Sequence, residues 1–226
     1  MSDAAARDYA SLFNPPFALD RSKVALVVVD MQYASASRRD GLGALLKAKG
    51  LEDRGTYRFD RIEQVVTPTI QRLLAAFRRD KLPVIYLTVG SELPDFADML
   101  PGMRRFAEAI GNTEGAREHR ILDDLKPLPG EAVVNKTTMS AFHSSGFERL
   151  VQAMGRTQLC FTGVSTNSCV EGTARDAADR GFQCVIVEDG CGAAAAELHD
   201  ATCRNFARLL GRVATSREVL EELRVG

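Results

Sequence analysis

Residues 158–189 read Gln-Leu-Cys-Phe-Thr-Gly-Val-Ser-Thr-Asn-Ser-Cys-Val-Glu-Gly-Thr-Ala-Arg-Asp-Ala-Ala-Asp-Arg-Gly-Phe-Gln-Cys-Val-Ile-Val-Glu-Asp. The apolar run Leu159 to Phe161 meets Gly163, a small polar turn follows, and from Cys169 apolar and small residues recur at Val170, Thr173, Ala174, Ala177 and Ala178 with helical spacing. Gly181 stops that helix, and Cys184 to Val187 is the next buried strand. The unit is therefore β-turn-α-β, with a thiol at its first turn. A helix N-terminus offers unpaired N–H groups and a positive partial charge, which favour a thiolate and can hold a developing oxyanion. Cys169 is thus a candidate nucleophile. The competing reading is a small buried hydrophobe, the usual fate of a free cysteine, so the decision rests on partners elsewhere in the chain.

Outward from this unit, Val24 to Val29 is a continuous apolar run rich in β-branched residues, as expected of a central parallel strand covered on both faces, and it ends in Asp30. Ala132 to Val134 is a short strand that delivers Asn135 and Lys136. Ligands of open parallel sheets sit beyond the carboxyl ends of the strands, so Asp30, Lys136 and Cys169 come to one rim. A carboxylate can take a thiol's proton and return it to a leaving group, and a neighbouring cation favours the thiolate. Singly, an Asp that caps a turn and a surface lysine are the simpler readings; together the three favour an enzyme.

The intervening pattern completes an α/β domain. Phe59, Ile62, Val65, Val66, Ile70, Leu73, Leu74 and Phe77 follow a helical period interrupted by Pro68, which predicts a kink or a restart capped by Thr67. Val84 to Val89 is a second buried strand, Phe106 to Ile110 a short helical piece, Phe147 to Met154 and Ala193 to Leu210 further helices. Val213 to Thr215 and a helix from Arg217 close the chain. Strands alternating with helices predict a single doubly wound α/β domain over 23–226, after an N-terminal surface segment over 1–22. The 31–57 segment, with Arg38, Arg39, Lys47, Lys49 and Arg54, reads as a lid or pocket wall with a solvated basic face.

Composition excludes other classes. A formal net charge of -1 over 226 residues, with scattered basic residues, argues against nucleic acid. The five cysteines contain no Cys-x-x-Cys pair, which fits a reducing cytoplasm, and no apolar run is long enough for a membrane span. The first βα turn, Asp-Met-Gln at 30–32, carries no glycine fingerprint for a dinucleotide.

With these motifs in hand, the chain resembles the isochorismatase-like cysteine hydrolases, the superfamily of nicotinamidases, N-carbamoylsarcosine amidase, and the biuret and ureidoacrylate amidohydrolases. The matching stretches are Val-Val-Val-Asp-Met-Gln at 27–32, Val-Asn-Lys at 134–136 with Ser140-Ala141-Phe142 behind it, and Thr-Gly-Val-Ser-Thr-Asn-Ser-Cys-Val at 162–170 with Thr173 to Ala177 after it. The resemblance implies a six-stranded, mostly parallel sheet and a Cys169-Asp30-Lys136 triad that cleaves a C–N bond of a small amide or ureide through a thioester. It also implies a non-proline cis peptide at Val164-Ser165, with an oxyanion held by the N–H groups of Ser165 and Cys169. A homo-oligomer, dimer or tetramer, is expected on the same ground. Pocket positions are Gln32 and Tyr33 beside the acid, Phe142 after the lysine, and Thr166 and Asn167 before the nucleophile. The histidines, His119, His143 and His199, do not lie where nicotinamidases hold their metal, so no metal or other cofactor is expected. Cys169 favours C–N over vinyl-ether hydrolysis. The alternatives are a non-catalytic binding or assembly module on the same fold and a hydrolase of a non-amide small molecule.

Overall fold

The computed structural model describes residues 9–224. Six strands form the sheet: β1 (Val24–Val29), β2 (Val84–Val89), β3 (Ala132–Lys136), β4 (Gln158–Val164), β5 (Gln183–Gly192) and β6 (Arg212–Ala214). Their order is β3-β2-β1-β4-β5-β6 and every neighbouring pair is parallel, so the expected mostly parallel sheet is wholly so. The chain winds outward in one direction from β1 and then returns to lay β4 on the other side of it. Beyond the carboxyl ends of β1 and β4 the connections diverge to opposite sides, which opens a crevice.

The alternation of side chains assigns each helix to a face. Val24, Leu26, Val28 and Tyr86 point to one side, where they pack with Ile62, Ile70, Leu73, Phe77 and Val219. Ala25, Val27, Val29, Ile85 and Phe161 point to the other, against Phe147, Val151, Val170, Ala174 and Phe206. All six residues of β1 and of β2 are buried, which accounts for continuous apolar runs rather than alternating ones. Each such side chain contributes about 1.5–3 kcal/mol by leaving water, so two apolar faces can support polar groups at the sheet's end.

The helices are α1 (Tyr33–Ala36), α2 (Gly41–Ala48), α3 (Thr56–Arg61), α4 (Thr67–Arg79), α5 (Pro101–Ile110), α6 (Ala141–Ser144), α7 (Phe147–Ala153), α8 (Glu171–Asp179), α9 (Ala196–Leu209) and α10 (Ser216–Leu223). Pro68 neither breaks the long helix nor makes Thr67 a cap. A π-turn over Ile62–Val66 joins α3 to α4, and Thr67 has helical angles with its N–H bonded to the Ile62 carbonyl. The wider turn accommodates a residue that has no N–H and whose ring crowds the carbonyl four residues back. The helix expected over 106–110 begins earlier, at Pro101, because Pro is well suited to a first helical turn.

Within the N-terminal surface segment, residues 1–8 lie outside the described residues. Asn14 ties the remainder down through bonds from its amide to the carbonyls of Ala207 (2.9 Å) and Gly211 (2.8 Å). Among the described residues no helix is long and apolar enough to cross a membrane.

Candidate active site

Asp30 leaves β1 with φ of 50°, a left-handed conformation that Asp tolerates better than most residues. Bonds on both sides hold it there: its N–H donates to the Leu87 carbonyl (2.9 Å), and its own carbonyl accepts from the Ser35 hydroxyl (2.7 Å). Lys136 is the last residue of β3, in register with Val89, so its side chain extends over the end of β2 toward β1. Its Nζ lies 2.9 Å from Asp30 Oδ2, with both side chains almost wholly buried. Asp30 Oδ1 is buried without a hydrogen-bond partner among the described residues, an acceptor available to a proton.

The third group enters from β4. At Gly163 the strand passes so close to β1 that a Cβ would lie 2.0 Å from the Val29 carbonyl oxygen, and φ there is +107°, so glycine is required on both counts. The next peptide, Val164-Ser165, is cis, at the position the resemblance implied. The chain then turns through a π-type segment, Thr166–Val170, whose entrance carbonyl at Ser165 accepts from Ser168 N–H (3.0 Å) and Val170 N–H (3.3 Å), bonds that bracket the Cys169 amide. Cys169 therefore sits just before α8 rather than within its first turn.

Its chemistry differs from the simple helix-terminus expectation. Burial and then the Asp30 charge push the Cys169 thiol up to about 12, against the opposing pull of Lys136. Burial and the adjacent carboxylate thus favour the thiol form of Cys169, against what a helix end alone would do. For Lys136, burial favours the neutral amine, but Asp30 and then Cys169 outweigh it and hold the ammonium, with its pKa raised. The arrangement can take a proton from sulfur, hold it on Asp30, and return it to a leaving atom.

Arg58, which the periodicity of the sequence did not single out, is also here. It lies on α3, buried, with Nε (3.1 Å) and Nη2 (2.9 Å) on the Ser35 carbonyl and Nη1 (2.6 Å) on Ser165 Oγ. The guanidinium thus joins the turn after Asp30 to the cis peptide before Cys169. Burial lowers its pKa to about 10, partly offset by Cys169 and Asp30, so it stays charged near neutrality.

The residues expected to line the pocket divide. The Gln32 amide is fully buried and spent on backbone: Nε2 donates to the carbonyls of Val89 (3.1 Å) and His119 (2.7 Å), and Oε1 accepts from Val89 N–H (2.9 Å). It braces the turn after β1 and has no group left for a substrate. Phe142 packs edge-on against Phe147 at 5.0 Å and lies beneath the Arg180 guanidinium, within the helical layer. Tyr33 is partly exposed, its ring under the Arg117 guanidinium at 4.5 Å. Asn167 is partly buried in the π-type turn with non-helical angles.

Thr166 faces backwards, its hydroxyl 2.9 Å from His199 Nδ1. His199 Nε2 lies 3.1 Å from Arg61 Nη2, which can only donate, so the ring carries its proton on Nδ1 and gives it to Thr166. Burial, and next the Arg61 charge, lower the His199 pKa to about 4, with Asp200 pulling the other way. Arg61 also bonds the Cys191 (2.9 Å) and Glu188 (3.0 Å) carbonyls, and so ties the turn that carries Cys169 to β5. Neither His199 nor Arg58 had a sequence signal beyond being a polar residue within an apolar helical pattern. Among the described residues no cluster of His, Cys, Asp or Glu has the arrangement of a metal site.

Comparison with known proteins bears on this geometry. A profile of the isochorismatase domain matches residues 24–218. The ureidoacrylate amidohydrolase RutB of Variovorax paradoxus (strain S110) is 32% identical over 217 residues, covering 88% of this chain and 81% of that one. A cysteine hydrolase from Pseudomonas syringae pv. phaseolicola 1448A superposes with a TM-score of 0.77 at 23% identity, covering 92% of this chain and 96% of that one. N-carbamoylsarcosine amidase from Thermoplasma acidophilum does so with a TM-score of 0.64 at 25% identity, covering 86% and 96%. The chain belongs to the isochorismatase family.

Proposed function

We propose that this protein is a cysteine-dependent amidohydrolase that cleaves a C–N bond of a small amide or ureide. The observation that carries the reading is the buried Lys136–Asp30 contact at 2.9 Å, with the other Asp30 oxygen unpaired and the Cys169 thiol electrostatically coupled to both. The similarity to ureidoacrylate amidohydrolase supports it.

The steps follow from where the proton sits. Asp30 takes the thiol proton as Cys169 Sγ forms a bond to the carbonyl carbon, and Lys136 keeps the carboxylate in place. The oxyanion is received by the N–H groups of Ser165 and Cys169. The C–N bond then breaks, the proton on Asp30 passes to the leaving nitrogen, and ammonia or an amine departs from a thioester, which for a ureide is a carbamoyl thioester. Water gives a proton to Asp30 as it attacks that carbon, and the C–S bond breaks to return the thiol.

The test is ammonia release from ureidoacrylate and a panel of small ureides by the wild type and by Cys169→Ala. The proposal expects turnover that the variant lacks. A panel in which no amide or ureide is hydrolysed, with Cys169 unmodified, would overturn it.

A further inference from the structure

The Arg58 guanidinium is a buried charge without a counter-charge. It bonds three times, to the Ser35 carbonyl twice and to the Ser165 hydroxyl once, and both acceptors are neutral. Among the described residues no carboxylate lies within ion-pair distance of it. Asp30, the acid nearest in effect, is already engaged by Lys136. The buried site therefore sets two cations, Arg58 and Lys136, against one carboxylate, Asp30. A buried ion is costly unless paired, and an arginine cannot relieve the cost by losing its proton at neutral pH.

We infer that Arg58 is a specificity-determining residue, whose guanidinium pairs with a carboxylate on the substrate and so selects anionic amides or ureides over uncharged ones. The inference rests on the amidohydrolase reading for its substrate class. Arg58 bridges the turn that carries Asp30 and the turn that carries Cys169, so an anion held by it lies beside the reacting carbonyl. Five donors in a planar fork leave N–H positions beyond the three bonds described. An anion there also offsets the excess charge before the thiol gives up its proton.

The experiment compares two alkylating reagents of one skeleton, iodoacetate and iodoacetamide, on Cys169. Labelling is read on the Cys169 peptide by mass spectrometry, with glutathione as the reference thiol. The expected result is an iodoacetate-to-iodoacetamide ratio at wild-type Cys169 on the order of tenfold above that of glutathione, from a close charge pair in a partly dry site. That preference should vanish in Arg58→Gln and persist in Arg58→Lys, which keeps the charge. A wild-type ratio no higher than the reference overturns the inference without any variant. So does an equal preference in wild type and in a folded Arg58→Gln, since losing a cation that serves only the thiolate would slow both reagents alike. In parallel, kcat/KM is measured for 3-ureidopropionate and for uncharged propylurea. Hydrolysis of neither, nor of any amide or ureide in the wider panel, with the alkylation preference intact, breaks the amidohydrolase reading alone; equal hydrolysis of both breaks the charge selection alone.

Discussion

Two buried polar groups lie back to back across the 166–170 turn, and they solve burial differently. In front, Lys136 and Asp30 are both charged and held 2.9 Å apart with almost no exposure. Behind, His199 is kept neutral, sharing one ring nitrogen with Thr166 and the other with Arg61. The rear group costs little because a neutral ring bonded at both nitrogens leaves nothing unsatisfied. The front pair is expensive, since two ions lose their hydration and only good geometry repays it. On the proposed mechanism that expense falls where a proton must be taken and returned, while His199 behind it stays neutral.

Removing the sulfur tests the front most severely. Cys169→Ala should lower ureide hydrolysis by about a thousandfold or more, while urea denaturation shows stability close to wild type, because a small thiol contributes little packing. If the variant instead loses its fold and not its rate per folded molecule, the front is structural.

Unpairing the charges comes next. Lys136→Met leaves Asp30 buried alone and should destabilise by about 3–5 kcal/mol in denaturant titration. The double variant with Asp30→Asn should recover part of that loss without recovering activity. Recovery of activity would mean that the pair is not part of the chemistry.

The rear group predicts a pH dependence. His199 has a folded-state pKa near 4, below its usual 6.5, so the unfolded chain binds more protons between those values. Stability therefore falls as pH drops from about 6.5 toward 4, by about 3 kcal/mol from this group. The difference between wild type and His199→Gln, followed by thermal melting over that range, should carry the slope. A difference that stays flat with pH would mean that the folded-state pKa is unshifted, and the opposite slope would mean that the ring is protonated in the fold.

A surface pair sets the lower limit. Arg104 and Glu108 meet at 2.7 Å, but both are more than 40% exposed, so Arg104→Ala should leave the thermal midpoint indistinguishable from that of the wild type. A larger change would show that α5 matters more to the fold than its exposure suggests.

How much of this was legible in the sequence follows the same division. The front was readable because each member stands at or just beyond a strand end: Val24–Val29 is an unbroken apolar run that stops at Asp30, and the 158–164 run stops at the turn before Cys169. Strand periodicity and the rule that ligands sit beyond the strands' carboxyl ends are enough to bring them together. The protonation state was not readable. Helix position argued for a thiolate, whereas burial and a neighbouring carboxylate, which only the packed chain supplies, argue for a thiol. Gln32 lies where a pocket residue would, yet its amide satisfies Val89 and His119, and that partnership spans residues far apart in the chain. Arg58 and His199 were silent for the same reason. A polar residue on a helix reveals its role only when the element packed against it is known.

The most direct measurement of the central claim is acid-quenched peptide mass spectrometry during turnover of ureidoacrylate. The account predicts a carbamoyl group on the Cys169 peptide, present in wild type and absent in Asp30→Asn. Turnover without any adduct on that peptide, together with undiminished ammonia release from Cys169→Ala, would contradict it.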